Sequence, residues 1–406
     1  MSASRRGGLV FALCFAAGLC EGYDLQCAGM AAPKFAPVFH LDPAHLGTVF
    51  AASTLGLFIG ALAGGRAADT IGRRGVLIAA LLVFGLFSIG TACVTTPGLL
   101  MLMRFLTGVG LGAAMPNLIA LTAEAGKPES AGARITMLSS AMPFGGFLAG
   151  ALMVARPDID WKSVFWIGGL APVAIAVPML FALPESQVFR ANQAARTRVD
   201  IGATLGTQGR IGVTLLMWAA AFFTSLALYL LINWLPSLLV GKGFLRADAS
   251  KVAMVLTLGG AASGFAFAAL MRVKQKGWLY AATWLGMILS VAGMAIPGHS
   301  LLPACITGFG CGFFLSGGGF LLYAQASALY PAAGRGTGVG FLVGVSRLGA
   351  VAGPLLAGWL LTADRTPGEV LLALVPLIGA ALVAAVLATG QRTAIQTSPQ
   401  PEGSLS

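Results

Sequence analysis

Four charged side chains, Glu21, Asp24, Arg104 and Arg347, fall well inside long apolar runs of this 406-residue chain. A charge at the centre of a hydrocarbon layer costs about 2.5–3.5 kcal/mol on insertion scales, so such a residue ordinarily faces a cavity or a partner. Their types define a narrow chemistry. A guanidinium offers a planar fork that matches the two oxygens of a carboxylate. A carboxyl group in a desolvated cavity holds a proton that it gives up when a cation draws near. Arg347 is therefore expected to clamp an anionic substrate, Glu21 and Asp24 to carry a coupling proton, and Arg104 to modulate them. The competing assignment is a fixed ion-pair network that only holds helices together.

The elements that must position these residues are written in the apolar runs. Leu9–Pro33, Leu46–Ala68, Gly75–Val94, Gly98–Ala123, Ile135–Ala155 and Ser163–Leu183 form a first set of six. Ile211–Leu235, Val252–Met271, Gly277–Ile296, Leu301–Tyr330, Gly336–Leu361 and Val370–Ala388 form a second. Each is close to the ~20 residues an α-helix needs to cross a bilayer, and a segment this apolar must be helical to satisfy its own backbone. Charged residues make up 10% of the chain, against roughly 25% in soluble domains, and mean hydropathy is +0.87. The expected fold is an all-α integral membrane protein of twelve transmembrane helices in two pseudo-symmetric six-helix bundles. The bundles span 1–183 and 211–389, with a central loop over 184–210 and a disordered tail over 390–406.

Depth along the helices says which charges meet. At ~1.5 Å per residue, Asp24 lies about 10 Å below the outer end of helix 1 and Arg104 about 9 Å below that of helix 4. They can pair. Glu21 is one turn deeper on nearly the same face as Asp24, and Arg347 sits near the midplane of helix 11.

The net charge of +11 could suggest nucleic acid, but its distribution argues otherwise. Sixteen of the 25 Lys and Arg residues, from Arg5 to Arg392, fall in loops on the amino-terminal side, and seven fall on the other. That bias follows the positive-inside rule and predicts both termini in the cytoplasm of a multi-pass bacterial inner-membrane protein. Nucleic acid is not an expected partner; the bilayer is. The first run holds Glu21 and Asp24 and exceeds a signal-peptide core, so it reads as a retained helix. The cysteines lie inside helices without a CxxC pair, which predicts apolar filling rather than metal binding. GxxxxGK[ST], HExxH and GxSxG are absent, so ATP-driven pumping and the commoner hydrolytic chemistries lack equipment, and neither cofactor nor enzyme activity is expected.

The two sets resemble each other at a shift of about 200 residues. Gly108-Val-Gly110-Leu-Gly112 returns as Gly308-Phe-Gly310-Cys-Gly312, and Gly146 and Gly150 return as Gly349 and Gly353. Small residues at this spacing let helix backbones approach, and paired six-helix halves mark a rocking transporter with its site between them. Arg104 and Arg347 fall opposite Ala304 and Phe144, so repeat packing does not explain them.

Several stretches carry a family resemblance. Gly65-Arg-Ala-Ala-Asp69-Thr-Ile-Gly72-Arg73-Arg74 resembles the loop between helices 2 and 3 of the major facilitator superfamily. Arg104 to Gly112, Pro184-Glu185-Ser186 and Arg335 to Gly340 are similar to other recurrent stretches of it. Glu21-Gly22-Tyr23-Asp24-Leu25-Gln26 resembles the aromatic acid:proton symporters. The runs Tyr229 to Pro236 and Gly108 to Leu121 look most like the 3-(3-hydroxyphenyl)propionate transporters within that family. The resemblance implies the major facilitator fold, acting as a monomer, and proton-coupled uptake of an aromatic carboxylic acid. A benzoate or another organic acid as cargo, or export of a drug or metabolite, are the alternatives.

The loop motif also has its own physics. Gly72 permits the positive-φ turn of a tight helix connection. Asp69 is expected beside the start of helix 3, where the dipole favours negative charge, and to latch the halves on the cytoplasmic side. Arg73 and Arg74 can pair with headgroup phosphates or with Glu124. An aromatic acid needs a flat apolar slot with a few polar tips. Tyr229, Asn233 and Trp234 on helix 7, with Tyr323 and Gln325 on helix 10, are the candidates to join Arg347 and Arg104 in binding it.

Overall fold

The structure, a computed structural model, describes residues 3–127, 130–186, 210–270, 277–296, 298, 300–330 and 335–397. Among the described residues there are twelve helices: α1 (Ala3–Val38), α2 (Pro43–Ile71), α3 (Arg73–Cys93), α4 (Pro97–Glu124), α5 (Ala131–Ala155), α6 (Trp161–Ala182), α7 (Arg210–Gly241), α8 (Arg246–Leu270), α9 (Gly277–Ala295), α10 (Leu301–Leu329), α11 (Arg335–Thr362) and α12 (Pro367–Thr397). All 12 are long and apolar enough to cross a membrane. The chain is an all-α, multi-pass membrane protein.

Local chemistry sets the ends. Asp42 accepts from the His45 amide and Thr96 from the Leu99 amide, each just ahead of a proline at the first helical position. A proline there loses no hydrogen bond that the helix would otherwise make. Several helices outrun the apolar runs that announce them. α1 continues through Pro33 to Val38 and α7 through Pro236 to Gly241, since neighbouring helices in a membrane bundle compensate the freed carbonyls. α12 runs to Thr397, so the expected disordered tail is corrected for its first eight positions. Gln391 to Thr397 contain no proline, and Pro399 is the first barrier to helix. Of the expected central loop, residues 187–209 lie outside the described residues, as do Arg272, Lys274 and Lys276.

Packing repeats between the halves. α2 lies on α4 as α8 lies on α10, α1 on α5 as α7 on α11, and α3 on α6 as α9 on α12. Glycines set the first of these contacts. A side chain at Gly56 or Gly60 would strike the backbone of Phe105 or Val109, and one at Gly108 or Gly112 that of Ser53 or Leu57. Their counterparts Gly259 and Gly312 abut Phe309 and Leu256. Gly349 and Gly353 sit against Phe222 and Leu226 of α7, while Gly145 and Gly146 sit against α1. Gly150 departs from the repeat and faces Met254 of the other half.

The halves meet through α2 on α11, α5 on α8 and α1 on α7. A Cβ at Gly29 would stand 2.9 Å from the Asn233 Cα, one at Gly47 3.3 Å from the Gly358 Cα, and one at Gly150 2.7 Å from the Met254 Cβ. These approaches all lie toward the face away from the amino terminus. One apolar core joins the second half to Phe35, Phe39, Phe50, Trp161 and Phe165 on that side. A separate core, with Val10, Cys14, Leu77, Leu118 and Leu138, fills the other end of the first half. The seam is thus closed at one face, and the four intramembrane charges lie beneath the closure.

Candidate functional site

α1 brings Asp24 against α4 and α3. The Arg104 Nη2 donates to Asp24 Oδ1 at 2.9 Å, and the Ser88 hydroxyl donates to Oδ2 at 2.5 Å. The pair is sealed from solvent, with Asp24 0% and Arg104 2% exposed. Arg104 also reaches the Ser53 hydroxyl at 3.4 Å and lies 5.3 Å from the centre of the Phe165 ring, a cation–π distance. Its Nε and Nη1 have no hydrogen-bond partner among the described residues. Both Asp24 oxygens are engaged, whereas the arginine keeps donors in reserve.

One turn deeper, Glu21 is buried and its Oε2 has no hydrogen-bond partner among the described residues. Its charged neighbour is Arg347 of α11, across the seam, with which it interacts electrostatically without a direct ion pair. Arg347 is half-buried. Its Nη1 donates to the Tyr229 hydroxyl at 2.5 Å, and its guanidinium carbon lies 6.0 Å from the centre of that ring. Tyr323 of α10 also stands within electrostatic reach of Arg347 and is 38% exposed. Glu21, Tyr229, Tyr323 and Arg347 therefore cluster at the seam between the halves.

Three sequence candidates lie elsewhere. The Trp234 indole N–H donates to the Pro354 carbonyl at 3.1 Å, and its ring meets Phe50 of the other half edge-on at 5.5 Å. It is part of the closed seam. Asn233 donates to the carbonyl of Tyr229 in its own helix at 2.8 Å, and its backbone abuts Gly29. Gln325, buried, reaches Thr389 of α12 at 3.4 Å, and its Oε1 has no hydrogen-bond partner among the described residues.

The turn between α2 and α3 forms a second cluster. Gly72 takes φ +101°, the left-handed region that only glycine enters freely. The Glu185 carboxylate occupies the place of the missing side chain and accepts from the Arg73 and Arg74 amides at 2.8 and 3.2 Å. An anion at a helix amino terminus is the arrangement expected of Asp69, and the structure corrects the assignment. α2 continues past Asp69 to Ile71, so Asp69 sits in its last turn, exposed and without a partner among the described residues, while Glu185 meets the start of α3. The Arg73 guanidinium donates to Glu124 at 2.8 Å, Ser186 donates to the same carboxylate at 2.7 Å, and Arg74 reaches the Leu180 carbonyl. Gly65 faces open space.

The residues that sequence reasoning leaves out are Ser88, Ser53, Phe165, Phe50 and Pro354, together with the part taken by Glu185. Only Glu185 and Ser186 carried a signal, as members of a recurrent stretch.

Set against known proteins, residues 14–326 match the family described as Major Facilitator Superfamily. The chain is 40% identical to the 3-(3-hydroxy-phenyl)propionate transporter of Escherichia coli strain K12, over 97% of each chain. It is 32% identical to the 4-hydroxybenzoate transporter PcaK of Pseudomonas aeruginosa, over 93% of this chain and 91% of that one. The crystal structure of a D-xylose-proton symporter superposes with a TM-score of 0.74 at 17% identity, covering 93% of this chain and 96% of the other. At that identity the likeness is one of fold.

Proposed function

We propose that this chain, which belongs to the Major Facilitator Superfamily, takes up an aromatic carboxylate together with a proton, the cargo being 3-(3-hydroxyphenyl)propionate or a related hydroxylated aromatic acid. The observation that carries the reading is a buried carboxyl group, Glu21, facing a half-open guanidinium, Arg347, across the seam with no direct ion pair between them. Two opposite charges left apart in a buried space form a poor structural bridge and a good receptor for an anion and a proton. The identity of 40% to a transporter of 3-(3-hydroxyphenyl)propionate supports the choice of cargo.

In this reading Arg347 holds the substrate carboxylate. Tyr229 orients the guanidinium by accepting from Nη1, and its own hydroxyl hydrogen is left for the anion. Tyr323 adds a second hydroxyl from α10. Glu21 carries the proton: arrival of a carboxylate at Arg347 cancels the positive field that favours ionised Glu21, so substrate and proton load together. Asp24 contributes to coupling when Arg104 moves away from it during the cycle. With the termini in the cytoplasm of a bacterial inner membrane, as the basic loops imply, the sealed face is external and the site releases inward. Asp69, without a partner among the described residues, latches the cytoplasmic face when that face closes.

The test is accumulation of labelled 3-(3-hydroxyphenyl)propionate in right-side-out vesicles with and without an inward proton gradient. Accumulation that requires the gradient supports the proposal, and gradient-independent equilibration overturns it. Glu21→Gln should abolish accumulation while keeping exchange of bound substrate. Asp69→Asn should lose uptake with normal membrane insertion.

A further inference from the structure

We propose that Ser88 of α3 is a positioning residue for the coupling proton, directing it to Oδ2 of Asp24, the oxygen turned away from Arg104; the assignment rests on Asp24 taking part in proton coupling. Asp24 has no contact with solvent, so a proton that it carries must be accepted by a protein group. Its two oxygens differ in what they can offer such a proton. Oδ1 faces the Arg104 Nη2 at 2.9 Å, and a guanidinium has donors only. Oδ2 faces the Ser88 hydroxyl at 2.5 Å, and a hydroxyl both donates and accepts.

The surroundings of Ser88 complete the exchange. Its oxygen also lies 3.4 Å from the Phe165 carbonyl of α6, a second acceptor for its hydrogen. With Asp24 ionised, Ser88 donates to Oδ2. When the outer seam opens and a proton from external water reaches Asp24, the new Oδ2–H bond donates to the Ser88 oxygen. The Ser88 hydrogen turns to the Phe165 carbonyl, and both hydrogens keep an acceptor. Arg104, its anion neutralised, has the Ser53 hydroxyl of α2 at 3.4 Å and the Phe165 ring at 5.3 Å in reach. The proton thus frees the arginine while Ser88 holds the acid in place.

Backbone contacts fix Ser88 in this place. One turn before it, a Cβ at Gly85 would stand 2.8 Å from the Gly169 carbonyl oxygen, so α3 and α6 touch through main chain. A Cβ at Gly168 would stand 3.4 Å from both Asp24 Oδ2 and the Ser88 oxygen, and glycine keeps that room free. The Tyr23 hydroxyl, donating to the Val164 carbonyl at 3.2 Å, ties α1 to the same stretch of α6. Among the described residues, the titratable groups that act on Asp24 are Arg104 from α4 and Cys20, Tyr23 and Cys27 from α1 itself. What α3 and α6 bring to it, Ser88, Phe165 and Gly168, does not titrate.

The experiment follows accumulation of labelled 3-(3-hydroxyphenyl)propionate in right-side-out vesicles against external pH, at a constant pH difference across the membrane, for wild type, Ser88→Ala and Thr91→Val. Ser88→Ala takes a charge-assisted bond from the ionised carboxylate and a neutral one from the acid, and the former is roughly twice as strong. The carboxyl group left behind binds its proton more tightly, so the alkaline limb of the profile should move up by about 0.5–1 pH unit. Thr91→Val removes another buried hydroxyl of α3, one that donates to Phe87 in its own helix, and should keep the wild-type profile. A Ser88→Ala profile superimposable on wild type, or an equal displacement in Thr91→Val, overturns the assignment. Should Ser88→Ala fail to reach the membrane, Ser88→Cys decides. Its thiol is a weak donor, so its profile should move in the same direction, and an unmoved one overturns the assignment. An Asp24→Asn variant that still accumulates the acid under the gradient would instead defeat the reading of coupling on which the role of Ser88 rests.

Discussion

The Asp24–Arg104 pair shows how two intramembrane charges close to each other in sequence, Asp24 and Glu21, come to differ. Asp24 has an arginine on one oxygen and a serine on the other, and no solvent reaches it. Removing one member of such a pair strands the other in a low dielectric, which costs about 3–5 kcal/mol, whereas neutralising both together costs much less. Arg104→Leu should therefore lower the melting temperature in detergent far more than the Asp24→Asn/Arg104→Leu double variant. Equal losses would mean that the bond contributes little to the fold. The encounter itself was legible, since helix depth puts both residues at the same level. Its partners were not: Ser88 and Phe165 are ordinary helix residues until α3 and α6 bring them in. Trp234 teaches the converse. Its type suits an aromatic slot, but its indole N–H is taken by Pro354 and its face by Phe50. Residue type names the chemistry a side chain can do, and packing chooses its partner. Glu185 takes the place expected of Asp69 for a similar reason, because α2 winds on for three residues past the apolar run that ends at Ala68.

At the scale of helices, glycine spacing was the most informative sequence feature, because it reports distance between backbones. The α2–α4 contact is built from Gly56, Gly60, Gly108 and Gly112, each of which meets main-chain atoms of the opposing helix. Main chain cannot swing aside as a side chain can. Gly112→Ala should push Leu57 away and cost about 1–3 kcal/mol through overpacking. Gly65→Ala, on the same helix as Gly56 but facing open space, should stay within about 0.5 kcal/mol. Thermal denaturation of purified protein measures both, and equal effects would show that the spacing has no packing role. Helix ends were harder to read. Hydropathy falls at Pro33 and Pro236, yet both helices continue, since a bilayer rewards an unbroken helix more than a lost hydrogen bond penalises it. Gly150, which the repeat pairs with Gly353, faces Met254 across the seam.

The whole molecule is organised by a pseudo-twofold axis that exchanges α2–α11 with α8–α5 and leaves α1–α7 in place. That symmetry has a mechanical consequence. The two crossings form equivalent hinged edges, and both are shut at the face away from the amino terminus, where Gly47 meets Gly358 and Gly150 meets Met254. A transporter that rocks must open both edges to receive substrate from that side. The Gly150–Met254 crossing offers a direct trial, because a Cβ on Gly150 would stand 2.7 Å from the Met254 Cβ. Disulfides favour a Cβ–Cβ separation of about 3.5–4.5 Å, so a separation of about 1 Å between the helices suffices to admit one. In the Gly150→Cys/Met254→Cys variant an oxidant should fasten α5 to α8 and hold that face closed. Uptake should stop on oxidation and return on reduction, while each single-cysteine variant remains insensitive to the oxidant. The native cysteines do not interfere with this readout, since the single variants contain them all. Full uptake by a quantitatively cross-linked protein would mean that this seam stays shut throughout the cycle. The substrate would then have to enter by a route other than the space between the halves, where Glu21 and Arg347 face each other.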